Sequence, residues 1–248
     1  MNIFTDNFPV NSRIVEVELM DSNGVFSSIS MVLNSDDTSS KVVEIEAGHE
    51  YSLTSSEFKN PTRVIDGGAG YGEFAIECAL KGAIEVHAFE PNPIVYSYLQ
   101  LNTKSYGQIK NYNVGLWKEN TASHLYFRRT GTASASIHEI QFSPNSSLGL
   151  ERTTVQIKLT SIKSVIQDIL DSANQICIAV KLDIEGAEHE VIRSLDEDAF
   201  FNFIDKLWIE YYYGPQEVIN ILNKYYDNII IEVKDAEMGL ITASRKFF

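Results

Sequence analysis

The sequence predicts an α/β protein in which a mostly parallel sheet carries helices on both faces. From residue 62 onward, short apolar stretches with strand patterning alternate with stretches of helical periodicity. A glycine-rich turn, "GGAGYG", follows the first of these strands, as in cofactor-binding sheets where such a turn joins a strand to a helix. The 248 residues, 44% of them hydrophobic, suffice for one large domain with a sizeable core.

Before residue 62 the pattern is that of a small antiparallel region. "RIVEVELM" and "VFSSISMVL" alternate between apolar and polar residues and are separated by the turn "SNG", and "KVVEIEA" is a further strand candidate. We therefore divide the chain into a β-rich extension, residues 1–60, and a main domain, residues 61–248.

In the main domain the elements follow one another as strand and helix. The predicted strands are "TRVIDGG", "IEVHAFE", "IKNYNVGLW", "ICIAVKLDI", "KLWIEYY", "NIIIEVK" and "LITASRK". The predicted helices are "GEFAIECALKG" ending at Gly82, "PNPIVYSYLQLNTKSYG" ending at Gly107, residues 187–195 and "PQEVINILNKYY".

An insert, residues 118–174, lies between the third and fourth of these strands. It holds the strand-like pieces "SHLYFRR" and "TTVQIKLT", the short helix "SIKSVIQDIL" and a loop candidate, "TGTASASIHEIQFSPNSSLG". Long inserts in compact domains are commonly functional loops, so we expect a lid or an acceptor-binding region here.

Composition excludes several classes of function. A net charge of −14 and a pI of about 4.7 oppose binding to nucleic acid. We expect no secretory signal, because "MNIFTDNFPVNSR" has no basic start followed by an apolar core, and no membrane span, because apolar runs are too short. Cys78 and Cys177 sit in apolar contexts, which predicts buried thiols in a reducing compartment. We expect a cytoplasmic protein.

The glycine cluster in "VIDGGAGYGEF" is the first candidate binding feature. Gly67, Gly68 and Gly70 have no side chains, so another group can approach their main chain closely. Glu73 stands where the dinucleotide fingerprint Gly-x-Gly-x-x-Gly would place its third glycine, and Asp66 precedes the turn. An acidic rim disfavours a pyrophosphate and favours a ligand that carries an amine or a sulfonium.

Glu90, which closes "VHAFE" at the end of the next strand, is the second feature. A carboxylate at this place typically accepts hydrogen bonds from the hydroxyls of a ribose. The combination of this acid with the glycine turn predicts a nucleoside cofactor, and S-adenosylmethionine fits better than a dinucleotide.

The acidic stretch "VKLDIEGAEHEVI" is the third feature. Asp183 ends an apolar strand, at the sheet edge where such proteins place their chemistry, and it is our candidate base. Glu185, Glu188 and Glu210 are further candidate catalytic residues, and Glu185 and Glu188 would orient a polyol or shape the pocket. The alternative for Glu185 and Glu188 is structural, because the dipole at a helix N-terminus alone favours an acid by about 0.3–1 kcal/mol. Glu210 ends the strand "KLWIEYY" beside the same cleft. We predict no metal, with an ion held by Asp183, Glu185 and Glu210 as a less favoured variant.

Several of these stretches together resemble a known family. "VIDGGAGYGEFAIECALKGAIEVHAFEPNP", "NVGLW", "VKLDIEGAEHEVIRSL" and "WIE", in this order, are similar to the FkbM-like family of S-adenosylmethionine-dependent methyltransferases over roughly residues 60 to 212. "KLDIEGAE" is the most specific piece, whereas "LTSIKSVI" replaces an acidic "TLDDL"-like stretch of the family.

The resemblance implies a seven-stranded Rossmann-like sheet with its last strand antiparallel, and methylation of an oxygen. It also implies two sets of cofactor contacts. Asp66, Gly68, Gly70 and Glu90 match the family's cofactor contacts, and Asn113 and Val114 match positions near the adenine.

The predicted function is therefore methyl transfer from S-adenosylmethionine to a hydroxyl of a sugar or another small, natural-product-like acceptor. The hydroxyls of "TGTASASI" are candidates either for acceptor contacts or for a solvated loop. The aromatic run Tyr211–Tyr213 is a candidate either for the acceptor pocket or for a strand end that packs on the insert. Two alternatives remain: an NAD-dependent oxidoreductase, which the glycine spacing opposes, and a non-catalytic module that uses the cofactor fold to bind a partner. The set of acids at Asp66, Glu90 and Asp183 opposes the second alternative.

Overall fold

The computed structural model describes residues 11–37, 56–128, 131–138, 152–172 and 175–245, and singly residues 9, 45, 51, 53 and 54. The strands are β1 (Ser12–Met20), β2 (Phe26–Asn34), β3 (Thr62–Gly67), β4 (Glu85–Phe89), β5 (Ile109–Tyr112), β6 (Gly115–Trp117), β7 (Thr121–Arg128), β8 (Gly131–Ser136), β9 (Arg152–Ser161), β10 (Cys177–Leu182), β11 (Lys206–Tyr211), β12 (Asn228–Val233) and β13 (Gly239–Ser244). The helices are α1 (Glu73–Leu80), α2 (Pro93–Thr103), α3 (Ile162–Ser172), α4 (Glu188–Glu197), α5 (Gln216–Leu222) and a 3₁₀ helix, Phe200–Phe203.

The main sheet has the strand order β12-β13-β11-β10-β3-β4-β5. Its β3, β4, β5, β10 and β11 run parallel, and β13 is antiparallel to both its neighbours, β11 and β12. The predicted α/β class is confirmed. This order brings the carboxyl ends of β3, β4 and β10 together at the middle of one edge.

Alternate residues of the central strands enter two cores, because successive side chains of a strand point to opposite faces. Ile65 and Val180 pack in the core formed with α3, α4 and α5. Val64 and Ala179 pack in the core formed with α1 and α2. Both faces of the sheet are thus covered, which accounts for the nearly continuous apolar sequence of β3 and β10.

The extension forms an antiparallel hairpin of β1 and β2, as predicted. Its inner face does not form a core of its own. Val17 and Leu33 share a core with Ile76 of α1 and Tyr98 of α2. The third predicted strand of this region, "KVVEIEA", lies outside the described residues except for Ile45.

The predicted third strand of the main domain, "IKNYNVGLW", is in fact two strands in different sheets. β5 ends at Tyr112 in the main sheet, and β6 begins at Gly115 in a second sheet of order β6-β9-β7-β8. The chain leaves the main sheet at Asn113, whose side-chain amide donates to the carbonyl oxygens of Glu90 and Pro91. Periodicity did not reveal this break because apolar residues continue across it.

In its described residues, the insert contains three strands and a helix. Its strands β7, β8 and β9 belong to the second sheet, and β8 lies in the stretch expected to be a loop, while residues 129–130, 139–151 and 173–174 lie outside the described residues. The helix of the insert, α3, buries Ile162, Ile166 and Ile169 in the main core. The small Ala and Ser residues of β8 carry little hydrophobic signal, so its pairing with β7 could not be predicted from local pattern.

Cys78 is fully buried, as predicted, whereas Cys177 at the start of β10 is partly exposed. In the described part of the chain, every helix is too short or too polar to cross a bilayer.

Candidate functional site

A cavity lies at the carboxyl ends of β3, β4 and β10, under the second sheet. It encloses about 630 Å³ of space free of protein atoms, part of it open to solvent. Its floor is polar and includes Gly68, Gly70, Glu90, Asp183 and Glu185. Its roof is apolar and consists of Leu125, Ala133, Ala135, Ile137, Ile157 and Leu159 from β7, β8, β9 and the residue after β8.

The glycine turn is shaped first by contact with its own protein. Gly68 has a φ of 73°, and a Cβ there would lie 1.8 Å from the carbonyl oxygen of Asp183. A Cβ on Gly67 would lie 2.8 Å from Cδ1 of Leu116. The main chains of the loops that follow β3 and β10 therefore approach each other closely, and the turn presents the backbone of Gly68 and Gly70 to the cavity.

Glu90 lies in the cavity wall and is almost completely buried. One carboxylate oxygen accepts the N–H of Gly70 at 3.0 Å, and the other accepts the N–H of Asn92 at 2.7 Å. Burial raises the pKa of the Glu90 carboxyl to about 8, against the opposing effect of these hydrogen bonds. Each oxygen retains a further lone pair with which it can accept a ligand hydroxyl.

Asp66 is fully buried below the cavity and does not line it. Its Oδ1 lies 3.1 Å from Nζ of Lys181, and its Oδ2 has no hydrogen-bond partner in the described structure. Sequence reasoning had missed Lys181. A charged residue inside the apolar strand "CIAVKL" is the signal that could have revealed it, because a fully buried lysine requires a partner.

Asp183 and Glu185 both line the cavity, so the structure brings these two predicted acids together with Glu90. Oδ2 of Asp183 lies 3.5 Å from Nζ of Lys181. Glu185 has a left-handed backbone, with φ of 56°, and its carbonyl oxygen accepts a hydrogen bond from the hydroxyl of Ser136 at the end of β8. The second sheet is thus attached directly to the turn of residues 183–187, here named the acidic turn.

Glu188, another predicted catalytic acid, is not among the residues that line the cavity. Its carboxylate oxygens accept the N–H groups of Ile184 at 2.7 Å and Gly186 at 3.0 Å. Complete burial raises the pKa of this carboxyl well above its ordinary value. The contacts show that Glu188 holds the 183–187 turn in shape.

Glu210 does not line the cavity either. Its Oε1 accepts a hydrogen bond from Lys234 at 2.7 Å, and its Oε2 lies 3.3 Å from the hydroxyl of Tyr212. The same hydroxyl donates to Glu185 at 3.0 Å. Burial and the neighbouring acids raise the pKa of Tyr212, so its hydroxyl stays protonated and links Glu185 to Glu210.

Asn113 and Val114 are also absent from the cavity lining. Val114 instead lines a separate groove with Phe89, Tyr112 and Val165, and the cavity wall near Glu90 is formed by Gly115 and Leu116. No group of three or more His, Cys, Asp or Glu side chains suited to a metal ion occurs among the described residues.

Comparison with known proteins identifies the family. The model of the methyltransferase FkbM domain matches residues 66–237, which include both the glycine turn and the acidic turn. The chain belongs to the FkbM methyltransferase family. S-adenosylmethionine is accordingly the cofactor of this FkbM-family protein.

A curated relative is Methyltransferase 1 of Beauveria bassiana strain ARSEF 2860, which is 25% identical over 175 residues. The match covers 62% of the FkbM-family chain and 66% of that relative, just under two thirds of its length.

Two solved structures show a distant likeness. A putative methyltransferase from Streptococcus mutans, in complex with SAH, is 12% identical with a TM-score of 0.39, and the match covers 75% of this chain and 88% of that chain. A ribosomal protein L11 methylase from Lactobacillus delbrueckii subsp. bulgaricus is 13% identical with a TM-score of 0.37, covering 76% and 72%.

The residues at the cavity fit S-adenosylmethionine. Glycine backbone and Glu90 lie side by side, and the lining includes acids but neither lysine nor arginine among the described residues. Such a lining favours a cationic sulfonium and an amine over a pyrophosphate, which basic groups or exposed helix N–H groups would bind.

Proposed function

We propose that this protein transfers a methyl group from S-adenosylmethionine to a hydroxyl oxygen of a small, natural-product-like acceptor, such as a sugar derivative. One observation carries the proposal: a single cavity gathers Gly68, Gly70, Glu90 and Asp183 under an apolar roof. The supporting acids come from strands that are distant in sequence, at the edge where open α/β sheets bind ligands.

In this proposal Glu90 and the glycine turn bind the cofactor. The carboxylate of Glu90 is fixed by the N–H groups of Gly70 and Asn92, so it accepts ribose hydroxyls without first losing side-chain freedom. The main chain of Gly68 and Gly70 lines the adjoining part of the cavity. When bound, the cofactor supplies an electrophilic methyl group.

Asp183 is the proposed base. It is the acid on the cavity floor at the carboxyl end of β10, and a hydroxyl that attacks a methyl group must lose its proton to such a group. Most of the rate enhancement should come from holding the acceptor in position. Glu185, held by Tyr212, orients the acceptor, whereas Glu188 and Glu210 position the turn and Tyr212.

The roof informs the choice of acceptor. β7, β8 and β9, with the residue after β8, present six apolar side chains to the cavity, so buried surface there favours hydrocarbon over hydroxyl groups. We therefore favour an acceptor with an apolar part beside its reactive hydroxyl over a fully hydroxylated sugar.

Calorimetric titration with S-adenosylhomocysteine, with NAD as a parallel ligand, tests the cofactor site. At a pH of about 8.5, above the pKa of Glu90, we expect micromolar binding of S-adenosylhomocysteine that Glu90→Ala weakens by about 1.5–3 kcal/mol, as for a lost hydrogen bond to a charged group. Glu217→Ala, which removes a carboxylate outside the cavity lining, is the matched control. Binding of NAD would favour the oxidoreductase alternative, and binding of neither ligand would favour the non-catalytic module.

Methyl transfer itself is tested with labelled S-adenosylmethionine and a panel of hydroxyl compounds that differ in apolar area. Asp183→Asn should abolish turnover of any accepted compound while S-adenosylhomocysteine affinity is largely retained. Asp198→Asn, at an exposed carboxylate paired with Lys163, is the control and should leave turnover unchanged. Normal turnover by Asp183→Asn would overturn the assignment of the base.

A further inference from the structure

Lys181 is a fully buried cation directly beneath the cavity. It lies in β10 opposite Asp66 of the neighbouring strand β3. Its Nζ is 3.1 Å from Oδ1 of Asp66 and 3.5 Å from Oδ2 of Asp183, and it donates to the carbonyl oxygen of Gly68 at 2.8 Å. The ammonium group therefore contacts the glycine turn and the proposed base at the same time.

The charges in this cluster do not cancel. A buried charge is strongly unfavourable unless it is paired, and here one ammonium group faces two carboxylates. Asp66 lies below the cavity and Asp183 lines it, so Lys181 connects a carboxylate outside the cavity with one in its lining. The rings of Tyr51 and Phe74, with centroids 5.4 and 5.6 Å from Nζ, further stabilise the cation.

We propose that Lys181 is a positioning residue that sets the charge of the cavity floor and thereby its preference between a cationic sulfonium and a neutral thioether. This inference rests on the proposed function, in which the same cavity binds S-adenosylmethionine. Methyl transfer converts a sulfonium into a thioether, so a floor with uncompensated carboxylates would bind the substrate form too tightly relative to the transition state. Lys181 limits this excess affinity for the sulfonium and at the same time keeps Asp183 in place.

The experiment compares the dissociation constants of S-adenosylmethionine and S-adenosylhomocysteine by calorimetry, at a pH of about 8.5 where ordinary carboxyl groups are ionised. Lys181→Met keeps the length of the apolar stem and removes the charge. The affinity for S-adenosylmethionine relative to that for S-adenosylhomocysteine should then rise roughly tenfold. This is the effect expected for one charge at several ångströms in a medium of intermediate dielectric.

Asp66→Asn provides the opposite change, because it removes a carboxylate that does not line the cavity. This variant should lower the affinity for S-adenosylmethionine relative to that for S-adenosylhomocysteine by roughly tenfold. The double variant, Lys181→Met with Asp66→Asn, restores the original net charge and should return the ratio to near that of the wild type. These two variants keep the test decisive if Lys181→Met alone fails to fold.

Lys81→Met is the matched control. Lys81 is the other lysine among the largest fully buried side chains, and it pairs with Glu77 of α1 at 3.4 Å, outside the cavity lining. Its replacement should lower stability without changing the ratio.

The outcomes separate the inference from the function on which it rests. If the wild type binds neither ligand, the proposed function fails. If the wild type binds both ligands, but Lys181→Met and Asp66→Asn weaken both equally and leave the ratio unchanged, the function stands and Lys181 is only structural.

Discussion

Gly68 lies where the loops after β3 and β10 come closest. Two features act against any side chain here: the left-handed φ of 73° and the carbonyl oxygen of Asp183, which lies 1.8 Å from the place that a Cβ would occupy. The first feature is a local backbone cost that many turns share. The second is a clash with main chain, which cannot move aside as a flexible side chain would.

Gly68→Ala should therefore destabilise the protein by about 3–5 kcal/mol, since strain and a main-chain clash add together. Gly24→Ala is the control, because Gly24 has a similar φ of 78° but open space around its Cβ direction. It should cost only about 1–2 kcal/mol. Chemical denaturation measures the free energy of unfolding of both variants. Equal losses would show that the clash with Asp183 is relieved without a cost in free energy.

Glu90 predicts a dependence of stability on pH. Its pKa is raised from 4.5 to about 8 by burial, so the folded state holds a proton that the unfolded chain releases. The resulting stabilisation is complete below about pH 4.5 and is lost as the pH rises through about 8. Glu90→Gln, which cannot titrate, should gain about 2–4 kcal/mol in unfolding free energy relative to the wild type between pH 5 and 8.

Urea denaturation at several pH values measures this difference, and contributions from Glu188 cancel because both proteins contain it. Glu217→Gln is the comparison, because hydrogen bonding to His189 lowers the pKa of Glu217. A lowered pKa makes stability fall only below about pH 4.5, so the difference between Glu217→Gln and the wild type should stay constant between pH 5 and 8. A constant difference for Glu90→Gln across the range would mean that Glu90 titrates as it does in water.

At the scale of elements, Asp37 connects three segments around the cavity. Its buried Oδ2 accepts the hydroxyl of Tyr71, in the glycine turn, at 2.8 Å and the N–H of Ala133, in β8, at 2.9 Å. Asp37 itself follows the hairpin. The roof strand, the glycine turn and the extension are thus held together by one carboxylate.

Asp37→Ala should lower the unfolding free energy by about 2–4 kcal/mol, because it removes the acceptor of one buried donor and one partly buried donor. It should also speed hydrogen exchange at the amide of Ala133. Asp36→Ala is the control, since the carboxylate of Asp36 accepts from Asn11 in an exposed contact. Unchanged exchange at Ala133 would show that β8 is held by its pairing with β7 alone.

At the scale of the whole molecule, the extension and the main domain share a core. Leu33 is fully buried with residues of α1 and α2, whereas Ile14 of the same hairpin is 51% exposed. We expect the extension and the main domain to unfold together, as one cooperative unit.

Leu33→Ala should therefore shift the unfolding transition of the main domain by about 2–5 kcal/mol. Trp117 and Trp208, which lie outside the extension, report that transition by fluorescence. Ile14→Ala should shift it by less than about 1 kcal/mol. If the hairpin unfolded separately, Leu33→Ala would not shift the unfolding transition that tryptophan fluorescence reports.

Much of the fold follows from local pattern. Alternating strand and helix periodicities predict an α/β sheet, and chain order then places the carboxyl ends of β3, β4 and β10 at one edge. Glu90 and Asp183 end such strands, so their meeting in one cavity could be predicted from the sequence. By contrast, the division of "IKNYNVGLW" and the strand β8 depend on a second sheet that no local pattern encodes.

The sequence by itself determined the fold class, the glycine turn and the cavity acids Glu90 and Asp183, because periodicity and strand ends are properties of consecutive residues. Only the tertiary structure decided what the other polar groups contact. Lys181 meets Asp66 through the register between β10 and β3, which are separated by more than one hundred residues. Glu188 accepts hydrogen bonds from backbone N–H groups of the preceding loop, which supply the partners that a completely buried carboxylate needs.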